Sequence, residues 1–522
     1  MKNATSMNRL LTLVMTAAAL LSTAVAQAAA PGITGPTFNL TARPAFISQP
    51  DGSSVYSWGY GCNGAPTGFA PAGITGTCST MQVPGPTLIV TQGDAVTVTL
   101  TNNLPAAAGN TSILFPGFTV TTTGGATGLL TQEAAPAGTV TYTFTASTPG
   151  THAYYSGTQG DLQIEMGLYG AIIVLPSTIP TACTGGVHAS NLTAQTHWGE
   201  SNYTLAAAAY NHSGACYDRE YLFQFSEIDP RIHRAAEEQV LARGTCTAGA
   251  PGCSLSVATE PYVPSYFMIN GRSMPDDMDA NYASQYPHQP YNGNPHMHPG
   301  ELTLLRIIGQ GRWQHPFHEH GNHVRVLARD GNLILSATDP LSLAGPLLFT
   351  TTTTPGQTID GIFQWTGKGL NWDPYGHKPT SSDLSAKLPC TPDANGYNTG
   401  SPNAINYFEW CQDHNKPLQA APFGDVAGGG PVTLPDPNIF ATGPWFGGSP
   451  YLGPNATVRA VGATGTIPPS GTVANSPTGE AGFAFMWHSH NEREITTNNI
   501  FPGGMLMMML VDSREFVIDE SK

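Results

Sequence analysis

Apolar and polar residues alternate along most of this chain with a period of two, the spacing of half-buried strands. From Pro84 the run PGPTLIVTQGDAVTVTLTNNLP reads as strand, turn, strand, with turns at Gln92-Gly93-Asp94 and Asn102-Asn103. Val140, Tyr142 and Phe144 share one face of a strand over 138–145. Gly150 to Tyr155 follows, and then the wholly apolar run from Gly167 to Leu175. Together these predict one β-sandwich over 36–177, joined by a connection at about 178–215 to a second. That second sandwich is predicted over 216–515, with strands starting at Arg219, Tyr266, Glu301, Asn322, Ile359, Gly482 and Met505. Between its strands, 368–480 is rich in Gly, Pro and Asn, and it reads as a long loop insertion. The expected fold class is all-β.

Composition agrees. The 522 residues include 59 Gly and 44 Pro, and only 11 % are charged, against roughly 25 % in an average globular protein. With 40 % apolar residues the chain can still build cores. A formal charge of −15 argues against a nucleic-acid partner, which needs a basic stripe. Residues 1–28 read as a secretory signal peptide. Lys2 and Arg9 precede an apolar run from Leu10 to Leu21, and A-x-A patterns place the cut after Ala26 or Ala28. The expected location is therefore secreted or periplasmic, and no other stretch resembles a membrane span. Eight cysteines, none in a CxxC motif, read as disulfides in an oxidising compartment. Their spacing does not choose a connectivity. The plainest pairing joins neighbours: Cys62 with Cys78, Cys183 with Cys216, Cys246 with Cys253, and Cys390 with Cys411. Thiolate metal ligation is the other reading, although none lies beside the histidine clusters.

Two of those clusters carry the candidate chemistry. One is His315-Pro-Phe-His318-Glu-His320-Gly-Asn-His323, and the other is Trp487-His488-Ser489-His490. Residues i and i+2 of a strand share a face, so His318 with His320, and His488 with His490, each present two imidazoles on one side. If the two strands are neighbours, four imidazoles converge. Such a set suits Cu, Zn, Fe or Ni, and the alternative is that these are ordinary core or surface histidines. Two further features are weaker. His296-Met297-His298 sits among Asn, Pro and Gly and reads as a surface loop. The methionines from Met505 to Met509 read as core packing, with Met505 excepted as a candidate ligand.

At these residues the chain resembles the multicopper oxidases. HPFHEHGNHVRVLARDG is similar to the family's H-P-x-H-x-H-G motif, and PGPTLIV, MGLYGAIIV, YFMINGRSMPD and PGQTIDGIFQW are similar to stretches around it. The resemblance implies two cupredoxin-like Greek-key sandwiches, copper as cofactor, oxidoreductase activity on a small-molecule or metal-ion substrate, and a homotrimer with copper at subunit boundaries. It also implies eight histidines around a trinuclear cluster, and here only His318, His320, His488 and His490 stand at those positions. In the first sandwich the expected H-x-H-G reads Ser112-Ile-Leu-Phe-Pro-Gly117, and Tyr155 stands where a histidine belongs. The blue-copper site keeps His315 and an axial candidate in Met505. Ser489 replaces its thiolate, and Glu494 falls at its second histidine. A serine hydroxyl cannot supply the soft thiolate bond of a blue site. Glu494 and Glu319 are then carboxylates available to a reduced copper site, with Glu494 alternatively orienting a histidine. The expectation is a secreted copper-binding oxidoreductase without the ordinary laccase mechanism. A non-catalytic copper-binding or scaffold protein is the alternative.

Overall fold

The computed structural model describes residues 30–71, 76–184, 207–298, 300–365, 391–394, 399–400, 448–452, 473–474, 482–512 and 518. The expected signal peptide, the Cys390–Cys411 pairing and nearly all of the 368–480 insertion lie outside those residues.

The described chain is built from strands, as its alternation predicts. In Thr139–Thr145, Val140, Tyr142 and Phe144 point into a core and are at most 5 % exposed, while the threonines between them face out. Two five-stranded sheets occupy the first part. One runs in the order Gly150–Tyr155, Tyr169–Leu175, Leu88–Thr91, Gly32–Thr34, Phe69–Ala70. The other runs Ser54–Cys62, Thr37–Ser48, Ala95–Asn102, Thr139–Thr145, Thr121–Gly124. They enclose a core around Trp58, Tyr60, Phe115, Tyr142 and Tyr154.

The second part holds two seven-stranded sheets. One contains Tyr266–Ile269, Arg219–Ile228, Leu302–Gly309, Thr358–Gln364 and Val324–Arg329 in that order. The other contains His296–Met297, Leu506–Asp512, Gly482–Ser489, Pro316–Glu319 and Thr350–Thr352. Phe223, Phe225, Phe317, Phe363 and Trp487 fill the space between them. Met505, Met507 and Met509 pack in the same core.

A smaller apolar layer joins the two parts, with Ala153, Ala171 and Ile173 against Leu222 and Ile308. Beside it Asp360 accepts from Thr151 N at 3.1 Å, Thr151 Oγ1 at 2.5 Å and the Tyr210 hydroxyl at 2.5 Å. Three disulfides join Cys62–Cys78, Cys183–Cys216 and Cys246–Cys253. Among the described residues no helix is long and apolar enough to cross a membrane.

One local reading is corrected and one element is added. Pro230–Arg243 is a helix, capped by Asp229, whose side chain accepts from Arg231 N at 3.0 Å. It lays Ile232 and Ala236 on the first core. Its signature, Asp before Pro at the start and Gly244 at the end, is a helix frame in the sequence. His296-Met297-His298 is not a surface loop. His296–Met297 is a strand alongside Leu506–Asp512, and His298 is 1 % exposed. Both imidazoles hold residue 512, His296 Nδ1 at the carboxylate (2.6 Å) and His298 Nδ1 at the carbonyl (3.1 Å).

Candidate metal centre

The strands Pro316–Glu319 and Gly482–Ser489 are antiparallel neighbours, and their register sets His318 directly opposite His488. The i, i+2 spacing then adds His320 and His490 to the same face. Ring centroids are 4.8 Å apart for His318–His320 and His318–His490, 5.2 Å for His320–His488, and 5.6 Å for His318–His488. The Nε2 atoms of His488 and His320 lie 3.4 Å apart. Two nitrogens bound at 2.0–2.1 Å to one ion stand about 3.3 Å apart at a tetrahedral angle, so this pair fits a shared metal. His318 meets Thr350 Oγ1 through Nδ1 (2.8 Å), and His488 meets the Ser489 carbonyl through Nδ1 (2.7 Å). Anchoring at one ring nitrogen is how metal-binding imidazoles are oriented, and here it leaves Nε2 of each ring as the nitrogen a metal could take. Among the described residues no group of three or more His, Cys, Asp or Glu stands in position to hold a metal ion.

The electrostatics suit ligands that must be neutral to bind. His318 is pushed down to about 4 by burial, then by the charges His320, His490 and His488 would carry. Burial also lowers His488. Glu319 points to the other side of its strand, where Thr351 Oγ1 donates to it, and burial raises its carboxyl well above the usual range.

On that other side the structure brings together His315, Ser489 and Glu494, all 0 % exposed. Ser489 Oγ donates to Glu494 Oε2 at 2.5 Å, and the same oxygen faces His315 Nδ1 at 2.9 Å. Met505 joins by backbone, its N to the Glu494 carbonyl and its carbonyl to Ser489 N. The remaining member is Glu227, whose Oε2 lies 2.8 Å from His315 Nε2. Carboxylate oxygens only accept, so an imidazole between two carboxylates donates from both nitrogens and is a cation. Burial opposes that charge, but the bonds to Glu227 and Glu494 outweigh it and push His315 up to about 9. Sequence reasoning missed Glu227. The signal was there: Phe223, Phe225 and Glu227 alternate on one strand, which puts a carboxylate among core aromatics.

In the first part, the Ser112–Gly117 segment and Tyr155 meet, with Leu114 N donating to the Tyr155 carbonyl at 2.8 Å. No imidazole stands at Leu114, Pro116, Tyr155 or Gly157. His152 is bonded through Nε2 to the Thr148 carbonyl (3.0 Å) and rests on Phe118 (4.6 Å).

The description "Multicopper oxidase" matches residues 74–178. Over that segment the chain is similar to the multicopper oxidases. No curated protein matches. Among solved structures, a blue copper oxidase from Nitrosomonas europaea is 15 % identical, with 91 % of this chain and 85 % of that one covered and a TM-score of 0.44. The multicopper oxidase mgLAC is 15 % identical, with 92 % and 87 % covered and a TM-score of 0.44. A copper nitrite reductase from Nitrosomonas europaea is 17 % identical, with 64 % and 85 % covered and a TM-score of 0.38. The paired strands Pro316–Glu319 and Gly482–Ser489 carry four clustered imidazoles on one side and an ionic triad on the other.

Proposed function

We propose that this is a secreted or periplasmic copper-binding oxidoreductase of reduced metal content, holding copper through His318, His320, His488 and His490. One observation carries the reading: two H-x-H pairs from neighbouring strands meet on one face, with two nitrogens 3.4 Å apart. Imidazole is a good donor to copper, and copper supplies one-electron redox chemistry when bound. The chain's own part is to orient the His318 and His488 rings through Thr350 and the Ser489 carbonyl, where burial favours their neutral forms. His315, Glu494 and Met505 are the further candidate ligands. His315 and Glu494 are engaged with each other and with Glu227, and Met505 with the core, which supports leaving them out of the ligand set.

The donor set on the triad side does not fit a blue copper. A hydroxyl stands for the thiolate, and both nitrogens of His315 face carboxylates. That supports the second reading, a non-catalytic copper-binding or scaffold protein. The test is metal analysis of the copper-loaded protein beside His318→Ala/His488→Ala, with oxygen uptake on phenols and Mn(II). Stoichiometric copper lost in the variant supports the ligand set. Copper with no uptake favours the second reading, and equal copper in both proteins refutes the site. Sedimentation of the same samples tests the homotrimer.

A further inference from the structure

A cavity of about 400 Å³ lies between the two sandwiches, with walls that include Pro116, Gly117, His152, Tyr155, Asp330 and Gln357. Its size is that of a small-molecule site. One wall is Gly150–Tyr155, an edge strand of its sheet, which explains how His152 and Tyr155, three residues apart, both reach one space. The other wall is the turn before Gly331 and the start of Thr358–Gln364. The walls are fixed relative to each other. Thr358 Oγ1 donates to the Thr151 carbonyl at 2.6 Å, and Asp360 takes two bonds from Thr151.

The lining is rich in acceptors. The Thr148 carbonyl can only accept, so His152 Nε2 carries the hydrogen and Nδ1 is left as an acceptor. That nitrogen is the atom nearest to the Gly117 side of the cavity, 3.5 Å from where a Cβ would stand. Burial lowers His152, which keeps this tautomer neutral. Asp330 Oδ1 is held by Thr358 N at 2.8 Å, which orients its exposed carboxylate at the rim. The Tyr155 hydroxyl lies against the Gly356 backbone, and Asp330 is the single formal charge among the lining residues. Pro116 and Pro355 supply apolar contact. Two acceptors, one of them anionic, with a phenol and an amide beside them, select for a donor-rich cation.

We propose that this cavity binds a small organic ammonium compound, with its cationic group at Asp330 and its further donors on His152 Nδ1 and the Tyr155 hydroxyl. The site is separate from the four clustered histidines and stands or falls independently of copper. Pro116, Gly117 and Tyr155 belong to the segments where the family resemblance implied copper-binding imidazoles.

The test uses the whole protein and three matched probes: ethanolamine, ethylene glycol and glycolate, followed by saturation-transfer NMR titration. Ethanolamine is expected to bind saturably, ethylene glycol more weakly, and glycolate not at all. Asp330→Asn should weaken ethanolamine about tenfold, the loss of one charge-assisted bond. Asn tolerates the left-handed backbone at this position (φ 50°) and keeps the bond to Thr358 N, so the variant folds. Tyr155→Phe should weaken it by a smaller factor. Equal binding of glycolate, no saturable binding of ethanolamine, or binding unchanged in both variants overturns the proposal. Copper content unchanged in Asp330→Asn keeps this result apart from that for the histidine cluster.

Discussion

Ser489 shows how one atom redirects a site. Its side chain faces away from His488 and His490, and there its hydroxyl bonds Glu494, which in turn bonds His315. Ser489→Cys places a thiol in this position, but both nitrogens of His315 still face carboxylates and Glu494 is still a hard oxygen donor. The copper-loaded single variant is therefore expected to lack the intense visible thiolate-to-copper band. Ser489→Cys with Glu494→His removes one carboxylate, frees His315 Nδ1 and supplies the missing imidazole, so that band is expected to appear. Absorbance spectra of the two variants check this, and a strong band in the single variant contradicts it. Glu494→Gln asks a different question. It leaves a buried imidazolium with half its compensation, which costs about 3 kcal/mol or more when one partner of a buried pair is removed. Denaturant unfolding should show that loss, and a change within error would mean that His315 is neutral.

The triad also ties elements together. Glu227 belongs to Arg219–Ile228 in one sheet, while Glu494 follows Gly482–Ser489 in the facing sheet, and His315 bridges them. A histidine raised to about 9 contributes stability that is full below its unfolded value near 6.5 and is lost as pH rises through 9. Glu165 acts in the same direction. Burial raises it to about 8, against the bonds from Tyr262 and Asp229, so its ionisation penalises the fold progressively between pH 4.5 and 8. Unfolding free energy should therefore fall between pH 6.5 and 9.5, and a rise over that range would contradict both assignments. A further effect belongs to the helix, where Asp229→Ala removes the cap and the acceptor of Val263 N, and denaturant unfolding should show a loss of about 1–3 kcal/mol.

At this scale the strands were legible because burial follows a period of two, as in Thr139–Thr145. The helix Pro230–Arg243 was overlooked amid strands despite its Asp-Pro start. The four histidines were legible because i, i+2 is a property of one strand. Their meeting needed the register of a second, 170 residues away in His318 and His488, which no local pattern states. Glu227 required both the alternation and a knowledge of what faced it.

At the scale of the whole molecule the question is whether the two sandwiches unfold separately. Two apolar layers lie between them, one built from alanines as much as larger residues and one that sets Met81, Val83 and Tyr169 against Ile228, Tyr266 and Met268. Polar contacts cross the boundary at several places, among them Tyr169–Ser226 and Gln310–Gly170, and one buried group gathers at Asp360, which is 1 % exposed and carries three bonds from Thr151 and Tyr210, with Arg306 Nη1 at 3.8 Å from its Oδ1. Arg306 in turn donates to Glu220 at 2.6 Å and to Thr151 Oγ1 at 3.1 Å, so one buried network spans the boundary. Asp360→Asn keeps the shape but turns an acceptor into a donor opposite other donors, and it removes the anion beside Arg306. The expected cost is about 2–4 kcal/mol, as for a broken buried pair or unsatisfied buried polar groups. Because that loss falls on the boundary and leaves each core intact, it should weaken coupling more than either sandwich. Calorimetry of the unaltered protein is expected to give one cooperative transition, and Asp360→Asn two that are resolved in temperature. A single transition in the variant, shifted or not, would mean that the contacts left intact, from the two apolar layers to the Tyr169–Ser226 and Gln310–Gly170 bonds, suffice to hold the sandwiches as one unit.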